Sequence, residues 1–167
     1  MAQEERKYWD EKMETMSFEE LKKFQEERLR ETVERAYRQT ALYRRKFDQA
    51  GVRPEDIKTL EDLAKLPLTG CLEDLCSPPS GPPLKDKIAV PMSEIKWVHS
   101  TSGTLSGFTQ PIPRTREDIE EALDAVARVY WTMGVRPRDV AQNLMGFDLG
   151  NQALAHLGAN VLSLDSG

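Results

Sequence analysis

Apolar residues recur at helical spacing through the first quarter of the chain. Leu21, Phe24, Leu29, Val33, Ala36, Tyr37 and Thr40 share one face, interrupted by Gln25 and Arg28. Just ahead stands Ser17-Phe18-Glu19-Glu20, a capping-box pattern in which the Ser17 hydroxyl accepts from the third helical N–H and Glu20 reaches back. Together these predict a long amphipathic helix over residues 18–40. A shorter helix is expected over 42–50, with Gly51 in the left-handed conformation that closes many helices. Another short helix, over 5–13, presents Tyr8, Trp9 and Met13.

The middle of the chain breaks into small pieces. Thr59-Leu60-Glu61-Asp62 opens one or two helical turns that Pro67 ends, and residues 69–75 suggest another. Ser77-Pro78-Pro79-Ser80-Gly81-Pro82-Pro83 cannot be regular helix or central strand, because its prolines remove donors and fix φ. It reads as a connector with polyproline character. Beyond it the period changes. Ile95-Lys96-Trp97-Val98 is strand-like and leads straight into His99-Ser100-Thr101-Ser102-Gly103. Residues 116–133 give the clearest helix: Thr115 and Asp118 resemble a capping pair, and Ile119, Ala122, Leu123, Val126, Tyr130 and Met133 line one face. Gly134 and Pro137 mark its end. Residues 139–144 then read as a strand, 150–157 as a helix ended by Gly158, and 160–164 as a strand. Strand, helix, strand over short links is a βαβ unit, which implies parallel strands.

The fold class expected is α/β. A helical N-terminal region (1–76) and a proline-rich connector (77–94) precede the start of a parallel βαβ sheet (95–167). Two or three parallel strands with helices on one side leave an open edge and an uncovered face, so the sheet reads as part of a larger one.

Composition narrows the function classes. The 167 residues suffice to bury a core, and 39% hydrophobic with 31% charged residues is a globular balance. A net charge of -5 argues against a nucleic-acid partner, which needs clustered Lys and Arg. No stretch approaches the ~20 apolar residues that cross a bilayer. The N-terminus lacks the basic and apolar regions of a secretory leader, so a cytoplasmic protein without a membrane partner is expected. Cys71 and Cys76 make neither a disulfide framework nor a metal set and read as reduced thiols; no metal ligand is assigned.

One segment carries recognisable chemistry. Ser100-Thr101-Ser102-Gly103-Thr104-Leu105-Ser106-Gly107-Phe108-Thr109 places hydroxyl residues around two glycines. Glycine lets a backbone turn its N–H groups toward a polyphosphate, and Ser and Thr hydroxyls donate to phosphate oxygens. It is not the G-x-x-x-x-G-K-[ST] loop, since it holds no lysine. Ser/Gly/Thr loops are more often plain connections.

The surroundings of the loop carry a resemblance. Thr101-Ser102-Gly103-Thr104 resembles the ATP-phosphate loop of the AMP-forming acyl-adenylate ligases. Four further segments resemble the phenylacetate–CoA ligase branch of that family in the same order. The first runs from Leu29-Arg30-Glu31-Thr32-Val33-Glu34-Arg35-Ala36-Tyr37 to Tyr43-Arg44-Arg45-Lys46-Phe47, and the second joins Ala50-Gly51-Val52 to Leu60-Glu61-Asp62-Leu63-Ala64-Lys65-Leu66-Pro67. The third is Gly134-Val135-Arg136-Pro137-Arg138-Asp139-Val140, and the fourth pairs Gln142-Asn143 with Leu157-Gly158-Ala159-Asn160-Val161.

The resemblance implies a nucleotide-binding role for 95–167 and a two-step reaction. A carboxylate attacks the α-phosphate of ATP, and a thiol, usually coenzyme A, then displaces AMP. ATP, Mg²⁺ and coenzyme A are the implied cofactors, and a small carboxylic acid the implied substrate. Ser100, Thr101, Ser102, Gly103, Thr104, Ser106, Gly107 and Thr109 inherit the role of holding pyrophosphate.

The match departs in places. Gly107 replaces the family's usual lysine, Phe108 adds bulk, and the segment 146–152 is shorter than the family's stretch near the acyl pocket. The adenine, metal and catalytic-lysine motifs are not among these residues, so no catalytic residue is assigned and a complementary C-terminal ligase chain, or a homo-oligomer, is the expected partner. Arg114 and Arg116 are candidates for the missing charge, His99 for a nucleotide contact or a structural hydrogen bond, and His156 for a structural one. Trp97 and Trp131 suit packing better than base stacking. Two other readings remain: a non-catalytic ligase-like interaction module, and part of a synthetase adenylating a deazaflavin cofactor.

Overall fold

The computed structural model describes residues 6–70, 84, 86–101, 103, 104, 107, 109–143 and 148–163. They form two compact units: Ser17–Thr115, and the segments Met1–Met16 with Arg116–Gly167.

In the unit Ser17–Thr115, helix α2 (Phe18–Gln39) begins as its sequence dictates. The Ser17 hydroxyl accepts from the Glu20 N–H at 3.3 Å, and the Glu20 carboxylate accepts from the Ser17 N–H at 2.9 Å, satisfying two donors that a helix start leaves open. Thr40 both ends α2 and caps α3 (Ala41–Ala50), its hydroxyl donating to the Ala36 carbonyl at 2.8 Å and accepting from the Tyr43 N–H at 3.3 Å. Gly51 closes α3 at φ 68°. Val33, Phe47 and Ile57 form the core of this unit, with Leu29, Tyr37, Tyr43, Val52 and Leu66 against it. Short 3₁₀ turns follow at Pro54–Asp56, Leu60–Lys65 and Met92–Glu94. The second is anchored by Asp62, whose carboxylate accepts from the Lys58 and Thr59 N–H groups and pairs with Lys65. Lys65, then those two amides, hold that carboxyl far below the ordinary range. The helical turns expected over 69–75 and the connector 77–83 lie largely outside the described residues.

Strand β1 (Trp97–Ser100) starts two residues later than the sequence suggests and takes in His99 and Ser100, which the pattern assigned to the loop. It pairs antiparallel with β2 (Pro111–Arg114), a strand the sequence does not announce. β1 therefore belongs to a hairpin and not to the parallel sheet.

In the other unit the short N-terminal helix is narrower than expected. α1 spans Glu11–Glu14, with the Asp10 side chain capping it by accepting from Met13 N–H at 3.1 Å; Tyr8 and Trp9 precede it. Helix α4 (Arg116–Thr132) packs on α5 (Asp148–Leu157), which links β3 (Val140–Asn143) to β4 (Asn160–Ser163). β3 and β4 are parallel, Val140 opposite Asn160 and Gln142 opposite Leu162, as the βαβ pattern requires. Gly158 is needed between α5 and β4: it sits at φ 100°, and a Cβ there would meet the Pro137 Cβ at 3.3 Å.

Ile119, Ala122, Leu123, Val126 and Tyr130 of the expected α4 face are half-buried, but the most buried positions lie beside them. Ala127 and Trp131 join Leu157 in the core, whereas Met133 is 72% exposed. Trp9 explains the rotation. Its ring lies 5.8 Å from that of Trp131, and its indole N–H donates to Asp124 at 2.8 Å. Trp131 in turn donates to the Lys7 carbonyl at 3.1 Å and carries the Arg136 guanidinium on its face at 4.1 Å.

Truncating Trp131 to alanine is expected to cost about 3–5 kcal/mol of unfolding free energy. Met133→Ala should stay within about 0.5 kcal/mol. Urea unfolding of the two variants compares the faces directly, and equal costs would contradict this packing.

Candidate functional site

Pro111 and Pro113 have no N–H to give a ladder, which is why their segment does not read as strand. The hairpin accommodates both. Thr101 N–H donates to the Gln110 carbonyl at 2.9 Å, making Thr101 and Gln110 a hydrogen-bonded pair. Counting back by twos along the register, His99–Ile112 and Trp97–Arg114 are the next such pairs. Pro113 opposite Val98 and Pro111 opposite Ser100 thus fall where strand amides point away from the partner. The same alternation puts Trp97, His99, Thr101, Gln110, Ile112 and Arg114 on one face.

The hydroxyl-rich segment is the loop of this hairpin. Ser100 is the last residue of β1, and Thr101 begins the loop at the final rung. The Gln110 N–H donates to the Thr101 hydroxyl at 3.0 Å, so main chain and side chain of Thr101 both hold the loop base. Gly103 and Gly107 adopt φ 71° and 72°, and the Gly107 N–H donates to the Gly103 carbonyl at 2.8 Å, folding the loop back on itself. A Cβ on Gly107 would meet nothing within 4 Å, so backbone conformation and not space is what asks for glycine there. Thr104 and Thr109 lie in the same loop, both exposed; Ser102 and Ser106 lie outside the described residues. The structure thus brings Ser100, Thr101, Gly103, Thr104, Gly107 and Thr109 together at one end of a hairpin.

Gln110 is the participant the sequence reading missed. Prolines spaced two apart, Pro111-Ile112-Pro113, are the signal that pointed to it, since that spacing keeps both rings on the donor-free side of an edge strand. Arg114 pairs with Trp97 at the end of the ladder remote from the loop, while Arg116 lies in the first turn of α4.

His99 is in the strand beside this loop. Its ring centroid is 5.3 Å from that of Trp97, and its buried Nδ1 has no hydrogen-bond partner among the described residues. Burial first, and the Arg114 cation second, push the imidazole below its ordinary pKa. The folded state therefore favours the neutral ring. The stability this contributes is full above the unfolded value of 6.5 and is lost as pH falls through the lower folded value. An NMR titration should place the His99 midpoint below that of a free imidazole, with Arg114→Ala moving it part of the way back up. A midpoint unmoved by folding would exclude the burial seen here.

His156 is held differently, its Nε2 3.6 Å from Asp124 and its ring 5.9 Å from Trp9. Among the described residues, no three His, Cys, Asp or Glu side chains are grouped to hold a metal ion. Nor is any helix there long and apolar enough to cross a membrane.

No family model matches the chain. Individual relatives do. The chain is 37% identical over 151 residues to the phenylacetate–coenzyme A ligase of Escherichia coli K12, and 35% identical over 153 residues to that of Thermus thermophilus. These matches take in 90% and 91% of this chain but 33% of each relative. In fold it is similar to a 2-hydroxyisobutyryl-CoA ligase solved in an open conformation with 2-HIB-AMP and CoA, at TM-score 0.85 and 31% identity over 99% of this chain and 40% of that one. The same ligase in its thioesterification state aligns at TM-score 0.84 and 32% identity, covering 97% of this chain and 35% of that one. The chain is therefore a homologue, in sequence and fold, of about one third of a phenylacetate–coenzyme A ligase, and fits its N-terminal portion.

Proposed function

We propose that this chain supplies the pyrophosphate-binding loop of an AMP-forming acyl–coenzyme A ligase, working with the remaining two thirds of the ligase sequence on the same or another chain. The observation that carries the reading is the hairpin loop. Its described hydroxyl residues Thr101, Thr104 and Thr109 and two left-handed glycines stand on a closed ladder, which supports donors held in place before a ligand arrives. Fixed donors near a departing pyrophosphate stabilise charge as it develops, at little reorganisation cost. ATP with its Mg²⁺, a small carboxylic acid and coenzyme A are the partners in this reading.

ATP–pyrophosphate exchange tests it. The chain alone should not exchange label, and the chain joined with the rest of a phenylacetate–coenzyme A ligase should exchange only when a carboxylic acid is present. Exchange by the chain alone would remove the need for a complement, and none in the reconstituted pair would remove the function. Within that pair, Gly103→Ala and Gly107→Ala should each lower pyrophosphate affinity about tenfold, since each forces a side chain into left-handed backbone at roughly 1–2 kcal/mol.

A second reading is a non-catalytic, ligase-like module that pairs with another chain. The β3–β4 sheet favours it, for Val140 is 68% and Leu162 54% exposed on the same sheet face. Calorimetry with ATP·Mg²⁺ and a solution mass separate the two: a dimer blind to ATP supports the module.

A further inference from the structure

We propose that the sheet face carrying Val140 and Leu162 docks a helix from the remaining two thirds of the ligase, and that the strand after this helix pairs with the free edge of β3. This rests on reading the chain as part of a ligase. Side chains alternate across β3 and β4, and the two faces are unlike. Ala141 and Val161 share one face and are half-buried, and α5 packs on both strands. Val140, Gln142, Asn160 and Leu162 share the other face, and all four are exposed, Val140 at 68% and Leu162 at 54%. Parallel sheets are covered on both faces, because their crossovers lay helices there. Crossovers are also right-handed, which ties the direction of sheet growth to the face being covered. The step from β3 through α5 to β4 sets one direction and fills the Ala141 side. A strand added beyond β4 keeps that direction, so its helix falls beside α5 and leaves Val140 and Leu162 in water. A strand added beyond β3 reverses the direction, and the same handedness then carries its helix across the opposite face. Of the two, only the second supplies the missing layer. The match takes in 33% of the Escherichia coli ligase, so such a sequence has ample length for a further helix and strand. The occupant is thus an amphipathic helix whose apolar stripe meets Val140 and Leu162, with polar groups over Gln142 and Asn160.

The test compares the full chain alone with the same chain joined to the rest of a phenylacetate–coenzyme A ligase. The β3 amides that face away from β4 should exchange at least about tenfold more slowly in the joined protein, followed by NMR. Nuclear Overhauser contacts in the joined protein should run from the Leu162 methyls to a helix whose following strand pairs with β3. Contacts to a helix whose strand pairs with the outer edge of β4 would overturn the proposal. Unprotected β3 amides in the joined protein would overturn it as well. The same protection in the chain alone, at the mass of a dimer, would give the edge to a second copy and also count against it. ATP–pyrophosphate exchange by the joined protein is scored separately. Protection without exchange would uphold the docking and sink the loop's function, and exchange with β3 unprotected would do the reverse.

Discussion

Pro111 and Pro113 carry no amide hydrogen, and the ladder between 97–100 and 111–114 closes only where neither needs one. That constraint sets the parity of the register. Both prolines take outward-facing positions, with Thr101 opposite Gln110 in a hydrogen-bonded pair and Trp97, His99 and Arg114 on one face. A slip by one residue would turn each proline toward the partner strand and forfeit two ladder bonds. It would also break both bonds between Thr101 and Gln110. The base of the loop thus sits on a ladder that asks neither ring to donate.

The second unit depends on a contact of a different kind. Trp9 reaches Asp124 across 115 residues of sequence, and its ring lies beside Trp131 and His156. An α4 helix considered alone shows one apolar face through Ile119, Leu123, Val126, Tyr130 and Met133, with Ala127 and Trp131 beside it. A large aromatic partner with a hydrogen bond to Asp124 draws Ala127 and Trp131 into the core. Trp131 offers more area to bury than Met133, and its indole N–H finds the Lys7 carbonyl, so its burial leaves no donor stranded.

These two cases mark what could be read from sequence. The Ser17–Glu20 capping box, the Gly51 closure and the βαβ unit were legible because each is decided by residues within a few positions, or by a period. The loop's hydroxyl and glycine content was legible for the same reason. Its setting was not: a strand with alternate prolines has no local signature of pairing until its partner is known, so β2 was missed and β1 was placed in the wrong sheet. The buried face of α4 was legible only in part, because periodicity counts apolar positions without knowing that Trp9 will draw Ala127 and Trp131 into the core.

The absent lysine gives the hairpin its importance under the proposed function. A lysine is a point charge on a flexible stem, which finds a phosphate even when the loop beneath it shifts. Main-chain N–H groups and short hydroxyls have no such reach; they act only when already aimed. Under the proposed function, a loop with Gly107 in place of a lysine would rely on preorganisation. Left-handed glycines bend the chain into shape but lose more backbone entropy on ordering than other residues, so they cannot hold the shape by themselves. Under this reading what holds it is the rung at its base, where Thr101 and Gln110 bond twice, and beneath that a ladder that two prolines bar from a one-residue slip.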